Sequence, residues 1–260
     1  MATYNKRGYK APKPKEDKID DEYIDNVAID ETDSTTAEVF NSLDETASRT
    51  EDFVARNQKL ILGIVGAIAI AAIAYTLYVK FVADPKEIDA TTEMYMAQKN
   101  FQLATDGTAS DSLYNLALNG AEGKLGFVKI AEDFSGTDAG NLANYYAGMA
   151  FLHTGKYDEA ISYLDKFKSD DVMLKVQALG AIGDAHSQKN QMKEALDFYK
   201  KALSSDENDF TTPRFMLKAG STTLALGNKE EALKFFTDIK EKYESSTEAQ
   251  GIDALIGLAQ

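Results

Sequence analysis

Twenty consecutive residues, Leu60 to Val79 (LILGIVGAIAIAAIAYTLYV), carry no charge and lie between Lys59 and Lys80. No other stretch constrains the fold so strongly. At about 1.5 Å per residue such a helix reaches about 30 Å, the hydrocarbon thickness of a bilayer. A helix also satisfies its own backbone in lipid, and a soluble core helix is rarely apolar on every face for so long. Ala72-Ile73-Ala74 has the small-x-small form of a signal-peptide cleavage site, but an h-region is shorter and lies nearer the N-terminus. Residues 59–80 therefore read as an uncleaved signal anchor, a single transmembrane helix. Within it Gly63, Ala67 and Ala71 stand at i, i+4 and i+8, a face of small residues on which another helix can pack. Tyr75 and Tyr78 form an aromatic belt at the distal end.

Flanking charge sets orientation. Arg49, Arg56 and Lys59 precede the span, and five more Lys/Arg lie in the first fifteen residues; Lys80 and Lys86 follow it. The excess of basic residues before the span predicts a cytoplasmic N-terminus and a C-terminal domain outside. From Asp84 onward the chain carries 18 basic and 28 acidic residues. That acidic balance disfavours nucleic acid and anionic headgroups as partners. With no cysteine there are no disulfides, thiolate metal sites or thiol nucleophiles.

Residues 1–35 read as a disordered cytoplasmic tail, basic and then acidic and poor in apolar side chains. Residues 36–58 form a juxtamembrane helical segment. A short helix is expected at Thr36–Thr46 and a break at Thr46–Thr50, after which Thr50 caps a second helix that runs into the span. Asp84-Pro85 punctuates the exit. A helix is expected from about 87 to 105. Residues 106–121 read as an inserted loop with a short ordered piece at Leu113–Leu118.

A period near 35 organises the rest. GMAFLHTGKYDEAISYLDKF, GDAHSQKNQMKEALDFYKKA and GSTTLALGNKEEALKFFTDI begin at Gly148, Gly183 and Gly220. Seven residues on stand Gly155, Asn190 and Gly227, types that tolerate a left-handed helix end. Then come Ala160, Ala195 and Ala232, then Leu164, Tyr199 and Phe236, then Phe167, Ala202 and Ile239. The small residues at the first and third marks bring two antiparallel helices close, and the large ones fill the gaps between pairs. GKLGFVKIAEDF from Gly123 echoes ALKFFTDIKEKY from Ala232, a degenerate unit with the 87–105 helix as its partner. The expected repeat domain spans 86–260, with units at about 87–140, 141–175, 176–212 and 213–246 and a closing helix at 247–259. The fold class is all-α, a transmembrane helix followed by a helical solenoid.

This pattern resembles the tetratricopeptide repeat (TPR) over about residues 141–243. Asn144, His186 and Thr223 depart from it where an aromatic is common. The resemblance implies a concave surface lined by first helices. Its register there falls on Tyr145, Met149, Leu152 and His153, then Asp184, Ser187 and Gln188, then Arg214, Leu217, Ser221 and Leu224. That mixture suits an extended or partly unfolded polypeptide, and it lacks the Lys/Asn set with which some TPR domains clamp a terminal carboxylate. Several of these residues would alternatively pack on the closing helix. His153 and His186 read as structural. No phosphate loop, HExxH, GxSxG or calcium loop is present, so neither enzyme chemistry nor a cofactor or metal is expected.

The order of anchor and repeats resembles the family of single-pass TPR ancillary subunits of the Sec translocon. The resemblance implies an accessory, chaperone-type interaction protein of the bacterial inner membrane with a periplasmic repeat domain. Its partners would be proteins: translocon subunits, a membrane-anchored periplasmic chaperone, or nascent exported chains. The alternative is a scaffold subunit of another cell-envelope complex.

Overall fold

The computed structural model describes residues 35–107 and 110–260. The tail expected over residues 1–35 lies, apart from Thr35, outside the described residues, as do two residues of the 106–121 stretch. Contacts divide the chain into two units, Met1–Ile70 and Ala71–Gln260.

Helix α1 (Thr35–Tyr78) opens in the first unit and ends in the second. It runs unbroken through Thr46–Thr50, where the sequence suggested a break. That stretch holds neither glycine nor proline, and its Ser and Thr cost a helix only tenths of a kcal/mol each, about 0.5 kcal/mol. Thr50 is thus inside a helix and not at its cap. In the apolar stretch Leu60, Leu62, Ile64, Val65, Ile68, Ile70, Ile73 and Leu77 stand between 51% and 71% exposed. A helix of a soluble core would bury such side chains. This one is long and apolar enough to cross a membrane and buries none of its apolar window.

Asp84-Pro85 does not stop the helix. The chain passes through a π turn (Val79–Ala83) into α2 (Asp84–Asp106), and the Asp84 amide donates to the Val79 carbonyl. Proline in an α-helix lacks a donor and clashes with the carbonyl four residues back. The wider turn, together with Pro85's place in the first turn of α2, removes that conflict.

The stretch read as an inserted loop with a short ordered piece at Leu113–Leu118 holds helix α3 (Asp111–Asn119), which contains that piece and whose Tyr114, Ala117 and Leu118 are buried. α3 is the main neighbour of α2, a role the sequence assigned to the following segment. A two-residue antiparallel pair, β1 (Gly120–Ala121) and β2 (Lys124–Leu125), turns the chain into α4 (Phe127–Asp133). At Gly126 a Cβ would lie 2.3 Å from the Leu118 carbonyl oxygen, so the glycines that spoil helix propensity here close this turn. Phe101, Tyr114, Phe127 and Tyr146 interlock, with ring centroids 5.1–6.2 Å apart.

Three antiparallel pairs follow: α5 (Asp138–His153) with α6 (Tyr157–Lys166), α7 (Val172–Gln188) with α8 (Met192–Ser205), and α9 (Thr212–Ala225) with α10 (Lys229–Lys242). Thr137, Asp171 and Asn228 cap α5, α7 and α10 by accepting from backbone amides. Gly155, Asn190 and Gly227 adopt left-handed backbone, with φ of 74°, 59° and 84°. Ala160, Ala195 and Ala232 are fully buried. A Cβ added at Gly148 would lie 2.5 Å from Leu164, one at Gly183 2.6 Å from the Tyr199 ring, and one at Gly220 2.6 Å from the Phe236 ring. The closing segment begins at Thr247 as a 3-10 turn (Thr247–Ala249), and its α-helix starts only after a left-handed Gly251, as α11 (Ile252–Ala259).

Alanine is the better helix former by about 1 kcal/mol, yet Gly183→Ala should destabilise the domain by about 1–3 kcal/mol, because the added methyl overlaps a buried ring. Urea unfolding of wild type and variant measures this; equal or greater stability of the variant would contradict the packing described.

Candidate functional site on the first helices

Gly183 turns its bare face to α8. Asp184, one residue on, is rotated by about 100° and leaves that interface for the outer side of the first helices. There it meets Lys218 of α9, 34 residues away, whose ammonium reaches both carboxylate oxygens at 2.7 and 2.6 Å. The Tyr199 hydroxyl donates to the same carboxylate at 2.8 Å. Tyr199 therefore does two things: its ring fills the space left by Gly183, and its hydroxyl orients Asp184. The Lys218 ammonium also stands 5.9 and 5.8 Å from the Tyr199 and Phe215 ring centroids.

These groups line a cleft of about 470 Å³ formed by Leu152, His153, Tyr157, Asp184, Ser187, Gln188, Tyr199 and Lys218. Five of the eleven residues placed on this surface by the sequence meet here: Leu152, His153, Asp184, Ser187 and Gln188. The His153 ring stacks on Tyr114, centroids 4.9 Å apart, and burial of the ring pushes its pKa below the usual imidazole range. The cleft thus holds one balanced ion pair, a histidine biased toward neutrality and several neutral donors and acceptors. It offers hydrogen bonds to an extended chain without a strong field of either sign.

The other six residues lie elsewhere. Tyr145 and Met149 are half-buried against Leu164, Ala178, Ala181 and Ile182, between α5 and α7. Tyr145 stands 5.2 Å from Phe167, and burial, then Tyr146, raises its pKa. Leu217 and Leu224 pack with Ile252 and Ala259 of the closing helix. The Arg214 guanidinium lies over the Phe210 ring at 5.3 Å, with its Nε 4.0 Å from Glu248. Ser221 is exposed. The second histidine, His186, is held by the Gln191 amide oxygen at 2.7 Å and stacks on Phe198. Gly63, Ala67 and Ala71 are exposed on α1.

Sequence reasoning missed Tyr157, Tyr199 and Lys218. Tyr199 had been assigned to packing alone. Lys218 carried a usable signal: its charge is opposite to that of Asp184 and it stands one repeat length away. Among the described residues no group of three or more His, Asp or Glu side chains is placed to hold a metal.

Residues 142–171 and 176–209 each match a family model described as tetratricopeptide repeat. No curated protein matches the chain. Among solved structures, PilW, titled a widely conserved type IV pilus biogenesis factor, is similar at 16% identity and TM-score 0.46, covering 84% of this chain and 88% of that chain. A likeness that loose carries no function across. The repeat region is TPR-like, and TPR repeats are protein-interaction modules.

Burial first, then the charge of Asp184 and the hydrogen bond to it, raises the Tyr199 pKa. The folded state then holds the phenolic proton more tightly than the unfolded chain, where tyrosine titrates near about 10. That stabilisation is complete below about pH 10 and is lost as pH rises further. Tyr199→Phe should cost about 1 kcal/mol at neutral pH through the lost hydrogen bond. It should also flatten the alkaline fall in stability by up to about 1.4 kcal/mol per pH unit. Chemical denaturation at pH 7 to 11 measures both; an unchanged alkaline slope would contradict the buried hydroxyl.

Proposed function

We propose that this chain is a membrane-tethered TPR-type interaction module that acts beside the Sec translocon, on exported polypeptides or on a membrane-anchored chaperone that receives them. The observation that carries the reading is a covalent one. An uncharged stretch whose apolar side chains are left exposed is followed, after one π turn, by α2 of a repeat domain with a neutral, donor-rich cleft.

In this reading Leu60–Val79 spans the bacterial inner membrane, the N-terminal tail is cytoplasmic, and the repeats lie in the periplasm. The domain organisation follows: a cytoplasmic tail over 1–35, a juxtamembrane segment over 36–58, the span over 59–80 and the repeats from 86 onward. The cleft contributes modest affinity. Fixing it near the exit of a channel raises the effective concentration of emerging chains to about millimolar, so a weak site suffices. Leu152 supplies apolar contact, while Ser187, Gln188 and His153 supply hydrogen bonds to the extended backbone. Gly63, Ala67 and Ala71 form the face on which a helix of the neighbouring complex packs. The chemistry is binding, with no reaction step and no cofactor.

Photocrosslinkers at Ser187 and Gln188 of the membrane-embedded chain should capture arrested nascent exported chains or translocon subunits. Crosslinks confined to a single unrelated envelope assembly would replace this reading with that of a scaffold subunit. Protease added to spheroplasts should degrade the repeats; their survival would reverse the orientation.

A further inference from the structure

Beyond α2, five large apolar side chains of the described residues stay exposed: Val172, Met173, Phe210, Leu226 and Leu258. Single exposed apolar residues are ordinary, but a gathered group marks an interaction surface. Three of the five gather around Asn208. Its Nδ2 lies 3.9 Å from Met173 Sδ, and its Oδ1 accepts from the Phe210 amide at 2.9 Å. Val172 precedes Met173 in the first turn of α7. Val172, Met173 and Phe210 are 42%, 39% and 61% exposed.

The Phe210 ring is held out by its own turn. It lies in the stretch SSDENDFTTP between α8 and α9, and the next three residues, Thr211, Thr212 and Pro213, are buried. Asn208 fixes the turn between them. Its Oδ1 also accepts from the Thr211 amide at 2.7 Å, and its Nδ2 donates to Asp206 at 2.8 Å and to Thr211 Oγ1 at 2.7 Å. Its own amide donates to Thr212 Oγ1 at 2.8 Å. An aromatic ring displayed on a turn fixed in this way loses little freedom when it is covered.

Charge selects what covers it. Asp170 and Asp171 immediately precede Val172, and Asp206, Glu207 and Asp209 lie within four residues before Phe210. None of these five carboxylates belongs to an ion pair among the described residues. Two of the neighbouring cations are already engaged. Arg214 lies over the Phe210 ring with its Nε 4.0 Å from Glu248, and Lys242 pairs with Asp238 at 3.1 Å. Lys175, one turn into α7, offsets only one of the five. A second copy would set the same carboxylates against these and is repelled, as are nucleic acid and anionic headgroups.

We propose that Val172, Met173 and Phe210 dock a short basic segment of a partner protein, whose apolar side chain covers the ring while its Lys or Arg side chains meet the surrounding carboxylates. Three side chains make a footprint far below the roughly 1,200 Å² of a stable interface between folded proteins, which suits a segment of a few residues and not a domain. The surface shares no residue with the cleft and works independently of what the cleft binds.

The test uses the full-length chain in nonionic detergent and three labelled, end-capped peptides: GKFKLKG, its acidic counterpart GEFELEG, and GKSKSKG, which is basic without apolar side chains. Fluorescence anisotropy should show binding of GKFKLKG alone, weakened by salt. Phe210→Ser, and separately Val172→Ser with Met173→Ser, should each weaken it about tenfold, the effect of losing an interface anchor. Asp170→Asn with Asp209→Asn should weaken it and flatten its salt dependence. Glu230→Gln with Glu241→Gln, which removes the same charge from exposed positions of α10, should do neither. Equal binding of GKSKSKG, preference for GEFELEG, no binding of any peptide, or indifference to Phe210→Ser would each overturn the proposal. A dimer seen without peptide and lost in Phe210→Ser would give the surface to a second copy instead. An unchanged thermal transition of each variant establishes that folding is not the cause.

Discussion

The architecture depends on one recurring steric fit. A glycine in each first helix is faced, sixteen residues later, by a large side chain of the second helix: Gly148 with Leu164, Gly183 with Tyr199, Gly220 with Phe236. Each large group sits where a Cβ would be. Burial of an aromatic side chain contributes about 2–3 kcal/mol, and the glycine costs its helix about 1 kcal/mol. The exchange is favourable only while the two helices stay at close range. The left-handed Gly155, Asn190 and Gly227 and the buried Ala160, Ala195 and Ala232 serve the same approach.

That fit also builds the candidate site. Once Gly183 is committed to Tyr199, the next residue must leave the interface, and Asp184 does so with the Tyr199 hydroxyl still in reach. Lys218 of the following repeat then balances the carboxylate. About a third of each charged side chain is exposed, so the pair contributes only about 1 kcal/mol to stability. Its larger effect is on the cleft, which it leaves nearly neutral at the centre of an acidic domain.

How much was legible in the sequence follows from the range of each interaction. The repeat register could be read because its steric fit recurs at fixed short spacing, and the apolar stretch because length and lack of charge suffice. Helix α3 was legible only as a short ordered piece at Leu113–Leu118, because Asp111, Ser112, Asn115 and Asn119 are poor helix formers. It is helical because Tyr114, Ala117 and Leu118 find a buried face on α2 and α5, a tertiary effect that propensity does not carry. The π turn at Val79–Ala83 was hidden for the opposite reason. Asp84-Pro85 signals a stop locally, and one widened turn accommodates it. On the site, the register placed Leu152, His153, Asp184, Ser187 and Gln188 together. It misplaced Tyr145 and Met149 as free lining, because it cannot tell a first-helix face that is open from one covered by the next repeat.

A double-mutant cycle on Gly220 and Phe236 tests the central steric claim most directly. Gly220→Ala alone should destabilise the domain by about 1–3 kcal/mol. In a Phe236→Ala background, which removes the overlapping side-chain atoms, most of that penalty should disappear. Loss of most of the penalty is the predicted result. An identical effect of Gly220→Ala in both backgrounds would show that the glycine is not there for the ring, and the account of how these helix pairs close would fail.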